Sequence, residues 1–145
     1  MPDYLLRIDG VNGDSTKRGF ERWFNVASYE WEVDGTAGGR TTALPLSVTT
    51  LSLAGLVDVE KKAAAGARIP TVEFVALIAP FDANSWRLRL VLTNPVVASS
   101  GFSLGGGADL STQWSFGDYS RADITTRSSD GAGGFTAPVT ATWRA

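Results

Sequence analysis

One run in this chain reads as a helix, Leu56 to Gly66 (LVDVEKKAAAG), and the sequence on either side is written in short apolar alternations and glycine-bearing turns. Ala63, Ala64 and Ala65 are strong helix formers that lose no side-chain entropy. Asp58 and Glu60 precede Lys61 and Lys62, the order that the helix dipole favours. Gly66 supplies a C-terminal stop, and Pro70 blocks a quick resumption. A helix of about three turns is marginal alone in water, so this one is expected to lie on a sheet.

The 145 residues are most simply one domain, 1–145, long enough to bury a core. A hydrophobic fraction of 43% with five tryptophans excludes a disordered chain. Thirteen basic and fifteen acidic residues leave a formal net charge of -2 with no basic block, so no nucleic-acid surface is expected. The chain has neither cysteine nor histidine, which removes the thiolate nucleophile, the commonest general base and the commonest metal ligands. No cofactor is expected. The start, MPDYLLRIDG, lacks a signal peptide's basic and apolar regions, and no apolar run approaches a membrane span. Cytoplasmic synthesis without membrane insertion is the expectation.

Strand patterns fill the remainder. Tyr4, Leu6 and Ile8 share one face of a first strand, and Asp9-Gly10 and Asn12-Gly13 mark turns after it. Phe20–Val33 reads as one long strand, apolar on both faces through its first half. Asp34–Arg40 (DGTAGGR) is a glycine loop without the ending of a phosphate loop. Leu44–Leu53 shifts its apolar residues from one face to the other at Thr49-Thr50, which predicts a bulge. Thr71–Ala79 is a further strand. Trp86–Leu92 sends Trp86, Leu88, Leu90 and Leu92 inward and Arg87 and Arg89 outward. Val96–Leu104, Leu110–Phe116, Tyr119–Thr126 and Phe135–Trp143 follow. Some eight strands with closely spaced turns predict a mainly β fold, a sandwich or closed barrel.

Candidates for chemistry are few. Glu30 and Glu32, two apart on a strand, would project from one face with Cα atoms roughly 6–7 Å apart, and paired carboxylates can do glycosidase work. An outer strand face is more simply solvated, and without histidine the serines lack their usual base. No catalytic constellation stands out, and an enzyme is not expected. The tryptophans Trp23 and Trp31 offer an alternative, a carbohydrate- or ligand-binding β-sandwich. Long apolar strands also have edges that must be closed, covered or paired with another subunit, and a ring of subunits would do this.

The opening DYLLRIDGVNGDST resembles the start of the haemolysin-coregulated (Hcp) proteins of type VI secretion. In that family a short apolar strand ends in a turn that Asp9-Gly10-Val11-Asn12-Gly13-Asp14-Ser15 matches. FNVASYEWEV is similar to the family's next strand, with Val26, Ser28 and Trp31 matching in type and order. The family's single helix ends in a pattern carried here by Ala64, Gly66 and Ile69. A later strand pattern runs from Trp86 through Leu92 and Val97 to Ser99.

The resemblance implies an antiparallel β-barrel of two packed sheets flanked by one short α-helix. It also implies a structural role, as a homo-oligomer whose six-membered rings stack as the inner tube of a contractile injection machine and leave the cell with it. The implied partners are further copies of the chain and the spike, sheath and effector proteins, with effectors carried in the ring lumen. If a ring forms, the polar-faced strand bearing Tyr119, Arg121, Asp123 and Thr125 is the candidate lumen face. The loop bearing Asp34, Gly35, Gly38, Gly39 and Arg40 is the candidate contact with neighbouring subunits or rings. Helix and loop are both shorter than is usual in the family, so differences from relatives are expected where subunits meet.

Overall fold

The computed structural model describes residues 3–35, 41–78, 81–104, 110–128, 131 and 134–144. Alternation puts Leu6 and Ile8 of β1 (Asp3–Ile8) into the main core, where they meet β7 (Thr71–Leu77), a strand buried on both faces over its second half, in antiparallel register, Leu6 opposite Phe74 and Ile8 opposite Val72. Around this pair a six-stranded sheet is laid down. In spatial order it runs β12 (Val139–Arg144), β11 (Arg121–Thr126), β8 (Trp86–Thr93), β7, β1 and β2 (Phe24–Val26). A four-stranded sheet runs β3 (Ser28–Glu30), β6 (Leu46–Thr50), β10 (Leu110–Gly117) and β9 (Val96–Leu104). A hairpin of β4 (Val33–Gly35) and β5 (Thr41–Ala43) stands apart.

The two sheets pack face to face over Phe24, Phe74, Trp114, Phe116 and a shell of aliphatic residues, all essentially inaccessible. Phe24 meets Trp114 edge to face with centroids 5.1 Å apart, the arrangement that ring quadrupoles prefer. Among the described residues the two sheets do not close into the expected barrel. β12 and β2 terminate one sheet, β3 and β9 the other, and no ladder joins them among the described residues. The architecture is an open sandwich of two antiparallel sheets.

The long strand expected over Phe20–Val33 is cut into pieces. Arg22 takes a left-handed φ of 69°, and Phe20 and Trp23 belong to a loop. At Ala27 the chain changes sheets: β2 pairs with β1, whereas β3 pairs with β6. The N–H of Ala27 donates to the carbonyl of Thr49 at 2.8 Å and holds this corner. Apolar character on both faces therefore reflected a strand that crosses between layers. The expected bulge at Thr49-Thr50 is likewise a strand end: Leu46, Val48 and Thr50 are buried, and the chain leaves β6 after Thr50 with Leu51 and Leu53 exposed.

The helix α1 (Leu56–Ala65) forms as expected and packs along β9. Gly66 adopts φ 61°, and the N–H groups of Gly66 and Ala67 return to the carbonyls of Ala63 and Lys62, closing the last turn. Val59 is its fully buried anchor.

Candidate functional site

The outer face of the six-stranded sheet is divided in two. Register places Asp3, Leu5, Arg7, Glu73, Val75, Leu77, Arg89, Val91, Arg121, Asp123, Thr125, Thr140 and Thr142 on that face. Toward one end Leu5, Val75 and Leu77 are buried under Phe20, Trp23, Phe81 and Trp86. Two loops supply this cover, and Lys17 clamps them by donating to the carbonyl of Phe81 at 3.1 Å and pairing with Asp3 at 3.1 Å. Trp86 was expected to point into the main core. A register shift between Ala76 and Leu77 turns it to the outer cluster instead, while Leu88, Leu90 and Leu92 do pack against the main core as read.

Toward the other end the same face is polar and, among the described residues, carries no such cover. Glu73 pairs with Arg7 (3.6 Å) and Arg89 (3.4 Å), and Arg7 also reaches Asp9 (3.0 Å). Asp123 pairs with Arg121 (2.9 Å) and accepts from the Thr142 hydroxyl at 2.6 Å. The hydroxyls of Thr125 and Thr140 meet at 3.0 Å across β11 and β12. Burial pushes the Asp123 carboxyl up, but the Thr142 hydroxyl and the Arg121 guanidinium outweigh it and hold it below the usual carboxylate value. The result is a polar wall whose charges answer one another: an ionised carboxylate already engaged by two side chains is a poor general base.

Three of the four residues expected on this face, Arg121, Asp123 and Thr125, stand together there. Tyr119 does not. Asp118 takes a left-handed φ of 49°, so β11 begins only at Arg121, and Tyr119 turns inward to 8% exposure. Its hydroxyl accepts from Trp31 Nε1 at 3.1 Å and donates to the carbonyl of Leu44 at 2.8 Å. Arg7, Glu73, Thr140 and Thr142, which complete the wall, were not singled out from sequence. Their alternation was visible, but strand neighbours follow from register.

Of the candidate contact loop, Asp34 and Gly35 lie in β4, Gly35 opposite Thr41, while Gly38, Gly39 and Arg40 lie outside the described residues. Glu30 and Glu32 do not share one strand face as expected, because β3 ends at Glu30. Both are exposed around an open cleft with Trp31, Pro45, Ser47 and Ser115. Trp23 and Trp31 are partly buried against protein, Trp23 edge-on to Phe20 and Trp31 edge-on to Trp143. Among the described residues no group of three acidic, histidine or cysteine side chains could hold a metal ion. No described helix is long and apolar enough to cross a membrane.

Comparison with known proteins places this geometry. No curated protein matches the sequence significantly. Among solved structures, Hcp1 from Salmonella typhimurium superposes with a TM-score of 0.81 at 19% identity, covering 99% of this chain and 94% of the other. A type VI secretion system effector from Yersinia pestis does so with 0.83 at 15% identity, covering 99% and 100%. A further type six secretion system protein gives 0.87 at 21% identity, covering 99% and 96%. At these identities the likeness establishes a shared fold over nearly the whole chain. The family model described as type VI secretion system effector, Hcp, matches residues 5–126, and on that match the chain belongs to the Hcp family.

Proposed function

We propose that this protein is a ring-forming subunit of the inner tube of a type VI secretion or related contractile injection machine. The observation that carries the reading is the polar half of the six-stranded sheet, on a chain whose family match spans 122 residues, 5 to 126. A tube wall must let a protein cargo lie against it and leave again. Paired charges and hydroxyls suit this, since each already has a partner and pays little to remain in water. In the ring, Arg121, Asp123 and Thr125 face the lumen with Arg7, Glu73, Arg89, Thr140 and Thr142 beside them. The segment around residues 34–40 contacts the neighbouring subunit or ring. The tube meets spike and sheath proteins, carries effectors in its lumen and is expelled with them.

Negative-stain microscopy of the purified protein tests the ring directly, with annuli expected. In the charge-reversed pair Arg121→Glu and Asp123→Arg, annuli should persist while retention of a co-expressed effector changes. Loss of annuli in that variant would move these residues from the lumen to a subunit contact, and a strictly monomeric wild type at high micromolar concentration would sink the ring.

A further inference from the structure

The exposed apolar side chains are not scattered. They gather at two opposite edges of the sandwich. At one edge β12 lies beyond the cover of the four-stranded sheet. Tyr29 of β3, that sheet's edge strand, packs on Phe74 (4.4 Å) and Tyr4 (5.0 Å), and Trp31 just after it meets Trp143 (5.5 Å). Past that line the inner face of β8, β11 and β12 continues with Leu88 and Ile124 partly buried, Ala141 exposed and Val139 71% exposed. These residues form an apolar shelf whose outer part, Val139 and Ala141, is exposed.

At the other edge lies a ridge. β9 closes the four-stranded sheet there, with α1 beside it. Phe102 pairs with Thr112, whose hydroxyl donates to the carbonyl of Ser52 at 2.7 Å, so the Leu51–Leu53 turn and the start of α1 adjoin the end of β9. Leu51, Leu53, Val57, Phe102 and Leu104 are between 46% and 68% exposed at this end.

Five side chains of this size, about half exposed or more, present roughly 500 Å² of apolar surface, at the upper end of what a monomer's largest patch offers. A specific contact takes about 800 Å² from each partner, and where copies of one chain meet about 65% of it is apolar, again about 500 Å². The ridge is therefore sized for one protein contact, and the shelf offers an apolar surface on the opposite edge to receive it.

We infer that the ridge of one copy (Leu51, Leu53, Val57, Phe102, Leu104) seats on the shelf of the next (Leu88, Ile124, Val139, Ala141). The inference rests on the ring reading above and gives it a joint. Because the two patches differ and lie on opposite edges, the contact is heterologous, the type that builds a ring when the rotation between copies closes. An isologous shelf-to-shelf contact would stop at a dimer and leave every ridge in water.

The absence of cysteine from all 145 residues gives a clean test. In the doubly substituted Leu104→Cys, Val139→Cys protein, mild oxidation should link successive copies into a ladder on non-reducing gels that ends at the ring size. Each single variant should stay monomeric on the gel, and a mixture of the two should give dimers and nothing larger. Dimers from Val139→Cys alone, or no ladder from the double variant while wild type still forms annuli, would overturn the joint and leave the ring. A monomeric wild type removes both. Sedimentation of Val139→Asp, which alters an exposed side chain, provides an independent arm: the assembly should fall to the monomer with the thermal midpoint unchanged, and an intact assembly would reject the shelf.

Discussion

The indole nitrogen of Trp31 donates to the hydroxyl of Tyr119 at 3.1 Å, and that hydroxyl donates onward to the carbonyl of Leu44 at 2.8 Å. Three segments far apart in the chain are joined by one oxygen: the stretch after β3, the entry to β6 and the turn before β11. Tyr119→Phe would leave an indole N–H and a carbonyl without their partner while preserving the ring's packing. A loss of about 1–3 kcal/mol is expected, read by urea unfolding followed through tryptophan fluorescence.

The same oxygen sets an alkaline limit. Burial holds the Tyr119 hydroxyl above its ordinary value of 10.0, with the hydrogen bond from Trp31 acting in the opposite direction. A raised folded value means that the unfolded chain loses its proton first as pH rises. The stabilisation is whole below pH 10 and disappears as pH climbs through the folded value. Unfolding midpoints measured from about pH 8 to pH 11 should fall less steeply in Tyr119→Phe than in the wild type. Parallel slopes would refute the assignment.

At acid pH one sensitive group on the polar wall is Asp123. Burial alone would raise its carboxyl, yet the Thr142 hydroxyl and Arg121 lower it below 3.8. With the folded value depressed, its contribution is present above the unfolded value and lost as pH falls through the folded one. Asp123→Asn should remove that part of the acid dependence, with midpoints converging on the wild type's at the lowest pH. A thermal-melt series below about pH 5 would show it.

Gly13 is held against backbone. A Cβ there would run into the carbonyl of Trp23 and come within 2.8 Å of Phe24 Cγ. Gly13 N–H also donates to Arg22 at 2.7 Å, so the loop has little room to yield. Gly13→Ala is expected to cost at least about 1–3 kcal/mol, the range for overpacked sites. Gly101 in β9 has nothing within 4 Å of an added Cβ, and Gly101→Ala should stay within about 0.5 kcal/mol. Equal midpoints for the two variants in denaturant would contradict this.

Arg127 lies between two rings, 4.0 Å from the centroid of Trp86 and 4.0 Å from that of Phe135, and donates to the carbonyls of Trp86 and Asn84. It ties the segment leading to β12 onto the loop before β8. In Arg127→Ala, amide exchange around Phe135 and Thr136 should accelerate while β1 and β7 keep their protection, because the tie lies outside the main core. Global loss of protection would show that the segment is part of the cooperative unit.

Local chemistry was legible from residues alone. The alanine-rich run and its glycine stop specified α1 to within a residue, since propensity and capping act over one or two turns. Alternation located β1 and β8, apolar runs between turn signals located β7, β9 and β10, and the turn residues around Asp9-Gly10 and Asn12-Gly13 led to the family resemblance. Beyond that range the sequence was silent, because strands acquire neighbours only when the chain folds back. Whether Phe20–Val33 was one strand or a corner depended on Ala27 finding Thr49, and whether Tyr119 faced out depended on a left-handed Asp118. The polar wall needed Arg7, Glu73 and Asp123, more than a hundred residues from end to end, in one register. The apolar residues at the edges were visible as letters, but only tertiary structure decided which of them the second sheet would fail to cover.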